Sequence, residues 1–397
     1  MGVSTDMRQS LLAFAFLFVS CSQDGSYKTN PPRVGKPAAK TQPLGEDVKS
    51  EKVSEKLFNV AILTKSVQCL FCHMKIEGDV GGIRFPADSS MHVRAGEGLR
   101  ILGTIYGTNQ VPSALDQAPQ SLEASSNYEN TDLKIFPTTV DGSGNVTFPV
   151  VTKEQISGKT KGVIKAGDKT IQDKHIGDLT LVDDGGPIEI DGEIFVDGNL
   201  IIGGRYRGIG TIYARNIFIV RDLQAMVSPF PFGLDPAAAK EKAQKAITAK
   251  NDGIYLFSIG QITVGYPDDA FLRNQSWRAA NLTKNSNTVQ KPPGEISQYV
   301  ALAKTKDCTV APGRKWNRSV LINRVDAFLY SSDYLLWRTC NGFELNGGFV
   351  APNVALVNAG DADNGADVEP KNVVRYDYRL RAGVKAFSVL KAFFEQE

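Results

Sequence analysis

The sequence predicts a mainly β protein wound as a parallel β-helix (a β-solenoid), with a helical cap at the N-terminal end and a capping helix at the C-terminus. Three observations predict it. The 397 residues include 37 glycines and many short apolar stretches, which marks a β-rich body. Between Ile188 and Val220 the apolar side chains favour even positions, among them Ile188, Ile190, Ile194, Val196, Leu200 and Ile202, and a period of two means strand. Glycine recurs every six residues there, at Gly192, Gly198, Gly204 and Gly210. A single straight strand of that length would exceed about 100 Å, so the chain must turn. A six-residue unit with two inward apolar residues and a glycine corner suits a solenoid. Asp191-Gly192 and Asp197-Gly198 also read as hairpin turns, although the strand left between them would be very short.

The elements follow in chain order. Residues 1–20 read as an export signal: Arg8 precedes an apolar run, Leu11 to Val19, that is too short to span a bilayer. Met7 fits a translation start. Phe18-Val19-Ser20-Cys21 resembles the lipobox of bacterial lipoproteins, with Phe18 departing from the usual aliphatic residue. That resemblance implies a lipid on Cys21 and the membrane as partner; Ser22 and Gln23 after it imply the outer membrane. An ordinary signal peptide with an accidental cysteine is the alternative. Residues 21–50, with Asn30-Pro31-Pro32, Gly35-Lys36-Pro37 and Thr41-Gln42-Pro43, predict a disordered tether.

Residues 51–75 are expected to form the helical cap, with Val53, Leu57, Val60, Ala61, Thr64 and Val67 on one stripe. The stripe runs into Cys69-Leu70-Phe71-Cys72-His73, which resembles the c-type haem attachment motif. In that motif two thiols form thioethers and the imidazole ligates iron. The resemblance implies covalent haem c, with His92, His175, Met91 or Met226 as candidate sixth ligands. Cys69, Cys72, His73 and His92 also total four zinc ligands, although adjacent Cys72 and His73 pair awkwardly on a tetrahedral ion. A Cys69–Cys72 disulfide or dithiol is the third reading. Ile76 to Ile83 already reads as solenoid, with no run of helices to wrap a porphyrin.

The body is expected over residues 76–383. Leu102 to Gly107, Ile254 to Gly265, Val325 to Tyr330 and Phe343 to Val354 repeat short apolar, glycine-punctuated phrases. Over 176–223 and 318–358 these phrases resemble the β-helical segments of bactofilin-like polymer-forming proteins and of accessory pilus proteins. The resemblance implies a right-handed parallel β-helix with a structural role, an envelope or pilus-type partner or self-association, and no catalytic residue. Asp235-Pro236 starts an Ala/Lys-rich surface helix to Lys250, and Glu295 to Lys304 reads as another. Tyr376, Tyr378, Arg379 and Arg381 offer a recognition patch, although their alternation reads as a last strand with tyrosines and arginines on different faces. Val384, Phe387, Leu390 and Phe394 share one face of the capping helix, residues 384–397.

Export permits disulfides, and Cys308 with Cys340 are the expected pair, the alternative being two buried thiols. Asp361, Asp363 and Asp367 around Gly365 resemble part of a calcium loop; a plain solvated acidic loop is the simpler reading. Lysine plus arginine (45) nearly balances aspartate plus glutamate (43), which leaves no electrostatic footprint for nucleic acid. Only three histidines are present, so a serine–histidine–acid triad would need His92 or His175. Asp178, Asp183, Asp184, Asp191 and Asp197 keep a carbohydrate-active β-helix enzyme in view, against outward aspartates that merely keep a sheet soluble. The expected function is that of an outer-membrane lipoprotein with a scaffold or assembly role. The rivals are a haem electron-transfer protein and that carbohydrate-active enzyme.

Overall fold

The computed structural model describes residues 60–64, 74–83, 100–102, 105–108, 133–136, 151–183, 185–233, 235–265, 305–310, 314–320, 322–339, 342–358, 372–382, 384 and 388–389. The fold is mainly β, as the period-two pattern requires. Most strands belong to one large sheet, and its pairings are parallel. The exception is a hairpin, Gly162–Ala166 with Lys169–Gln172, whose first strand runs antiparallel to residues 189–192. A separate antiparallel ribbon pairs Thr305–Val310 with Arg314–Val320.

The 188–220 pattern is realised as one extended stretch, Ile188–Ala225, that folds back on itself. Asn216 Nδ2 donates to Asn199 Oδ1 at 2.9 Å, 17 residues away, and Tyr213 Oη donates to Glu193 Oε2 at 2.6 Å, 20 residues away. A straight strand would separate such residues by roughly 56–66 Å at ~3.3 Å per residue. Gly208, with φ +100°, marks one close approach: a Cβ there would stand 2.0 Å from the Ile190 carbonyl oxygen.

The parallel strands line up in three rows. One row runs from Leu179–Val182 through residues 200–203, and another part of it joins residues 217–219 to Ile262–Val264, Tyr334–Thr339 and Asn353–Asn358. A second joins residues 209–214 to Gly253–Ser258, Ala327–Ser331 and Phe349–Val350. The third joins Leu223 to Arg324–Val325, Glu344–Gly347 and Asn372–Tyr376. Apolar residues pair with apolar residues along each row: Ile212, Leu256, Leu329 and Phe349 are all buried in one such line. Beside them Tyr213, Phe257 and Tyr330 form another, with the Phe257 and Tyr330 rings stacked at 5.3 Å. Burying side chains of this size stabilises by roughly 1.5–3 kcal/mol each.

The second and third rows do not end with the C-terminal strands. Ile62–Leu63 pairs with Phe349–Val350 on one side and with residues 80–81 on the other. Met74–Glu77 pairs with residues 372–375 on one side and with Arg100–Leu102 on the other. Val80–Ile83, Ile105–Thr108 and Leu133–Phe136 continue outward. The N-terminal strands therefore extend the sheet from its C-terminal edge. Gly347 and Gly348, with φ +149° and +93°, make the corner beneath this junction, where a Cβ would meet the carbonyl oxygens of Ala327 and Ala61.

This corrects the expected N-terminal helix where it is described. Ile62–Leu63 and Met74–Glu77 are strands, because pairing on both sides and full burial of Ile62, Leu63 and Ile76 outweigh helix preferences of tenths of a kcal/mol. A single helical turn, α1, covers Lys153–Ile156; the expected surface helix forms as α2, Pro236–Thr248, which starts at Asp235, whose Oδ1 accepts from Ala237 N. Ala239, Ala243 and Ala246 of α2 are buried. At the C-terminus the last strand stops at Tyr376 and a short helix, α3, Arg379–Ala382, follows, so the alternation through Arg381 is broken. Arg381 sits over the rings of both Tyr376 and Tyr378, at 5.1 and 5.7 Å, rather than on a face opposite them. Residue 384 and residues 388–389 are the described part of the expected capping helix.

Candidate functional site

Several expected site residues lie outside the described residues: Cys21, Cys69, Cys72, His73, Met91, His92, Asp184, Cys340, Asp361, Asp363 and Asp367, with the export signal, the tether and the 295–304 helix. The Cys69–His73 segment links two described strands, Ile62–Leu63 and Met74–Glu77. Cys308 lies in the antiparallel ribbon, in register with Trp316, and Cys340 directly follows the strand Tyr334–Thr339. Met226 is partly exposed, with its sulfur accepting from Arg207 at 3.8 Å. His175 Nε2 lies 3.2 Å from the Asp178 carbonyl oxygen. Among the described residues, no group of three or more His, Cys, Asp or Glu is placed to hold a metal ion, and no helix is long and apolar enough to cross a membrane.

Asp173, Asp178, Asp183, Asp222 and Asp252 have a shared structural use. Asp178 accepts from Asn199 N and Nδ2, and Asp183 accepts from Arg205 N and Nε. Asp173 accepts from Gly162 N, and Asp222 accepts from both Asn323 N and Arg324 N. Asp252 takes Gly208 N and Val227 N. Each carboxylate thus satisfies backbone N–H groups where a neighbouring stretch turns out of the ladder, which strands leave unpaired at corners. Asp197 instead meets three cations, Lys153 and Arg215 at 2.8 Å and Lys174 at 3.7 Å, and the hydrogen bonds from Lys153 and Arg215 lower its pKa to about 2. Of these, Asp178, Asp183 and Asp197 are among the residues that the sequence offers as enzyme candidates or solubilising surface. Their positions beside glycines and strand ends were the available signal for corner caps.

The densest charged cluster lies at the junction of the N- and C-terminal strands. Arg375 Nε donates to Glu77 Oε2 at 3.1 Å, and its Nη1 reaches Glu344 and Asn346 at 2.5 and 3.0 Å. Asn346 Nδ2 donates in turn to Asp326 Oδ1 at 2.7 Å, and Arg324 binds both Asp326 oxygens. The result is a run of alternating charge across four neighbouring strands. Burial opposes the Glu344 charge, but Asn346, Arg375 and Arg324 together hold its pKa below the ordinary value. Arg381 reaches Asp79 at 2.6 Å.

Deeper still, Arg379 is 1% exposed and binds Asp377 through Nε and Nη2. Its Nη1 donates to the carbonyls of Asn251 and Asp252 at 3.1 and 2.9 Å. Burial works against its charge, yet Asp377 raises its pKa above the usual guanidinium value. Tyr255 Oη donates to Asp377 at 3.2 Å, and burial raises the Tyr255 pKa as well. Such an arrangement can fasten strands far apart in sequence. No family model, no curated protein and no solved structure matches this chain.

Proposed function

We propose that this chain is an exported, lipid-anchored protein of the cell envelope whose stacked strands wind as a parallel β-helix and serve as a scaffold or assembly module. The observation that carries this reading is the direction in which polar side chains bond. Asp178, Asp183, Asp197, Asp222 and Arg375 all reach from one strand or corner to the next along the stack. Three parallel rows and a 38-residue extended stretch that turns back on itself support the winding. The lipobox-like residues ending at Cys21 support the anchor, and Ser22 and Gln23 after them support the outer-membrane location.

The test is metabolic labelling with a clickable fatty acid in a host that processes lipoproteins. The expected result is label on the wild type, recovery with the outer membrane, and loss of both in Cys21→Ser. An unlabelled wild-type protein overturns the anchor. A second reading, a c-type haem protein, rests on the spacing Cys69-x-x-Cys72-His73. Co-expression with cytochrome c maturation machinery then gives a covalent Soret absorbance that Cys69→Ala removes; a folded protein without that absorbance ends this reading.

A further inference from the structure

Leaving the third row at Tyr376, the chain turns back across strands already laid down. Asp377 N donates to Gly347 O at 3.2 Å, beside the junction. Arg379 then reaches the carbonyls of Asn251 and Asp252, beside the Gly253–Ser258 strand. Gly253 leaves room for the guanidinium, since a Cβ there would lie 2.6 Å from Arg379 Nη2. Ser388 N finally donates to Glu193 Oε1 at 2.7 Å; the Ser388 hydroxyl also donates to that oxygen, and Val389 N lies 3.4 Å from it. Glu193 is 6% exposed, and its other oxygen receives Tyr213 Oη. A buried carboxylate is costly to leave unpartnered, so this bond set fixes residues 388–389 firmly.

The same C-terminal segment supplies the strand against which the N-terminal strands sit. Asn372–Tyr376 lies between Glu344–Gly347 and Met74–Glu77 and pairs with both. Asp79 is tied to Arg381, two residues after Arg379. Anything that loosens residues 377–389 therefore loosens the middle strand of this sheet.

We propose that residues 372–382 and 388–389 form a latch: seated at Arg379 and Glu193, they hold the N-terminal strands, Ile62–Leu63, Met74–Glu77 and Val80–Ile83 with those that pair outward from them, against the rest of the stack. Unseating the distal anchor at Glu193 releases the N-terminal strands although they make no described contact with Glu193. The latch rests on hydrogen bonds and strand pairing alone, so it stands or falls independently of a lipid on Cys21.

The test is hydrogen exchange by mass spectrometry on the full chain carrying Glu193→Ala. Expected is exchange faster by about ten-fold or more in residues 372–376 and 74–83, with residues 179–182 and 200–203 unchanged. Glu193→Gln, which keeps an acceptor oxygen for Ser388, is expected to restore the wild-type pattern. Acceleration confined to the surroundings of residues 193, 213 and 388, or spread evenly over the chain, overturns the latch. If Glu193→Ala does not fold, deletion of residues 384–397 removes the same anchor while leaving Glu193 in place. Wild-type protection of residues 74–83 in that shortened chain overturns the proposal equally.

Discussion

Residues 188–264 and the junction of the N- and C-terminal strands are built from the same parallel pairing, yet they are held together differently. In the first region stacked residues are near one another in sequence, as Glu193 and Tyr213 are at 20 residues. In the second, Glu77 and Arg375 meet across 298 residues, and Asp79 and Arg381 across 302. Closing a longer loop costs more conformational entropy, though only slowly with length, and non-local pairing slows folding. The near-sequence region relies on apolar lines such as Ile212, Leu256 and Leu329. The junction adds a buried ion pair, an alternating-charge run and the C-terminal latch. The same ladder therefore carries extra fastening where the chain must find a distant partner.

The largest expected effect breaks the fastening directly. Arg379→Met leaves Asp377 charged and buried with its cation gone, which is expected to cost about 3–5 kcal/mol in denaturant unfolding. Arg379→Met with Asp377→Asn removes both charges and is expected to recover much of that loss. If the single variant unfolds like wild type, the buried pair is not what holds the C-terminal segment.

Next come truncations in the two apolar lines. Leu256→Ala and Ile62→Ala each remove a fully buried side chain, at an expected cost of about 2–5 kcal/mol. The consequences should differ in kind. Leu256→Ala lowers the main unfolding transition, whereas Ile62→Ala produces an earlier transition in which the strands Ile62–Leu63, Met74–Glu77 and Val80–Ile83 come away first. Limited proteolysis followed by mass spectrometry distinguishes them; a single shared transition for Ile62→Ala would mean that the junction is no weaker than the near-sequence stack.

A smaller effect sharpens the electrostatic side of the contrast. A double-mutant cycle on Glu77 and Arg375, whose side chains are 12% and 20% exposed, is expected to give a coupling of about 1 kcal/mol. The Asp197–Arg215 pair, with Arg215 56% exposed, should give about 0.3 kcal/mol. Equal couplings would remove the distinction between junction and outer face.

How much of this was legible in the sequence follows the same division. The Ile188 to Val220 alternation predicts strand, and its length forces the turns that bring Asn199 to Asn216. Asp235-Pro236 predicts the start of α2 because a cap and a first-turn proline act within four residues. The junction left no such trace. Val60, Ala61 and Thr64 fit a helical stripe as well as a strand, and nothing local to Ile62 announces Phe349 as its neighbour. The roles of Arg379 and Glu193 leave little local trace: Asp377 and Tyr213 stand 2 and 20 residues from them, but the Asp252 carbonyl and Ser388 N that complete their bonding lie more than a hundred residues away. The aspartates were read as a group by type, whereas their use is set one by one by the N–H groups beside them.

Acid provides the mildest probe, and its sign follows from Asp197. Lys153 and Arg215 hold the folded carboxyl near pKa about 2, against 3.8 for the unconstrained group. A depressed folded pKa means that the unfolded chain binds the proton more readily, so the bonds contribute their full stabilisation above pH 3.8 and lose it as pH falls through about 2. Because Lys153 and Arg215 are well exposed, the contribution is expected to stay under about 1 kcal/mol. Thermal melts from pH 6 to pH 2 should show wild type losing its advantage over Asp197→Asn between about pH 4 and pH 2. Parallel losses in the two proteins across that window would show that the outer-face bonds add nothing, leaving the apolar lines as the whole support of the near-sequence stack.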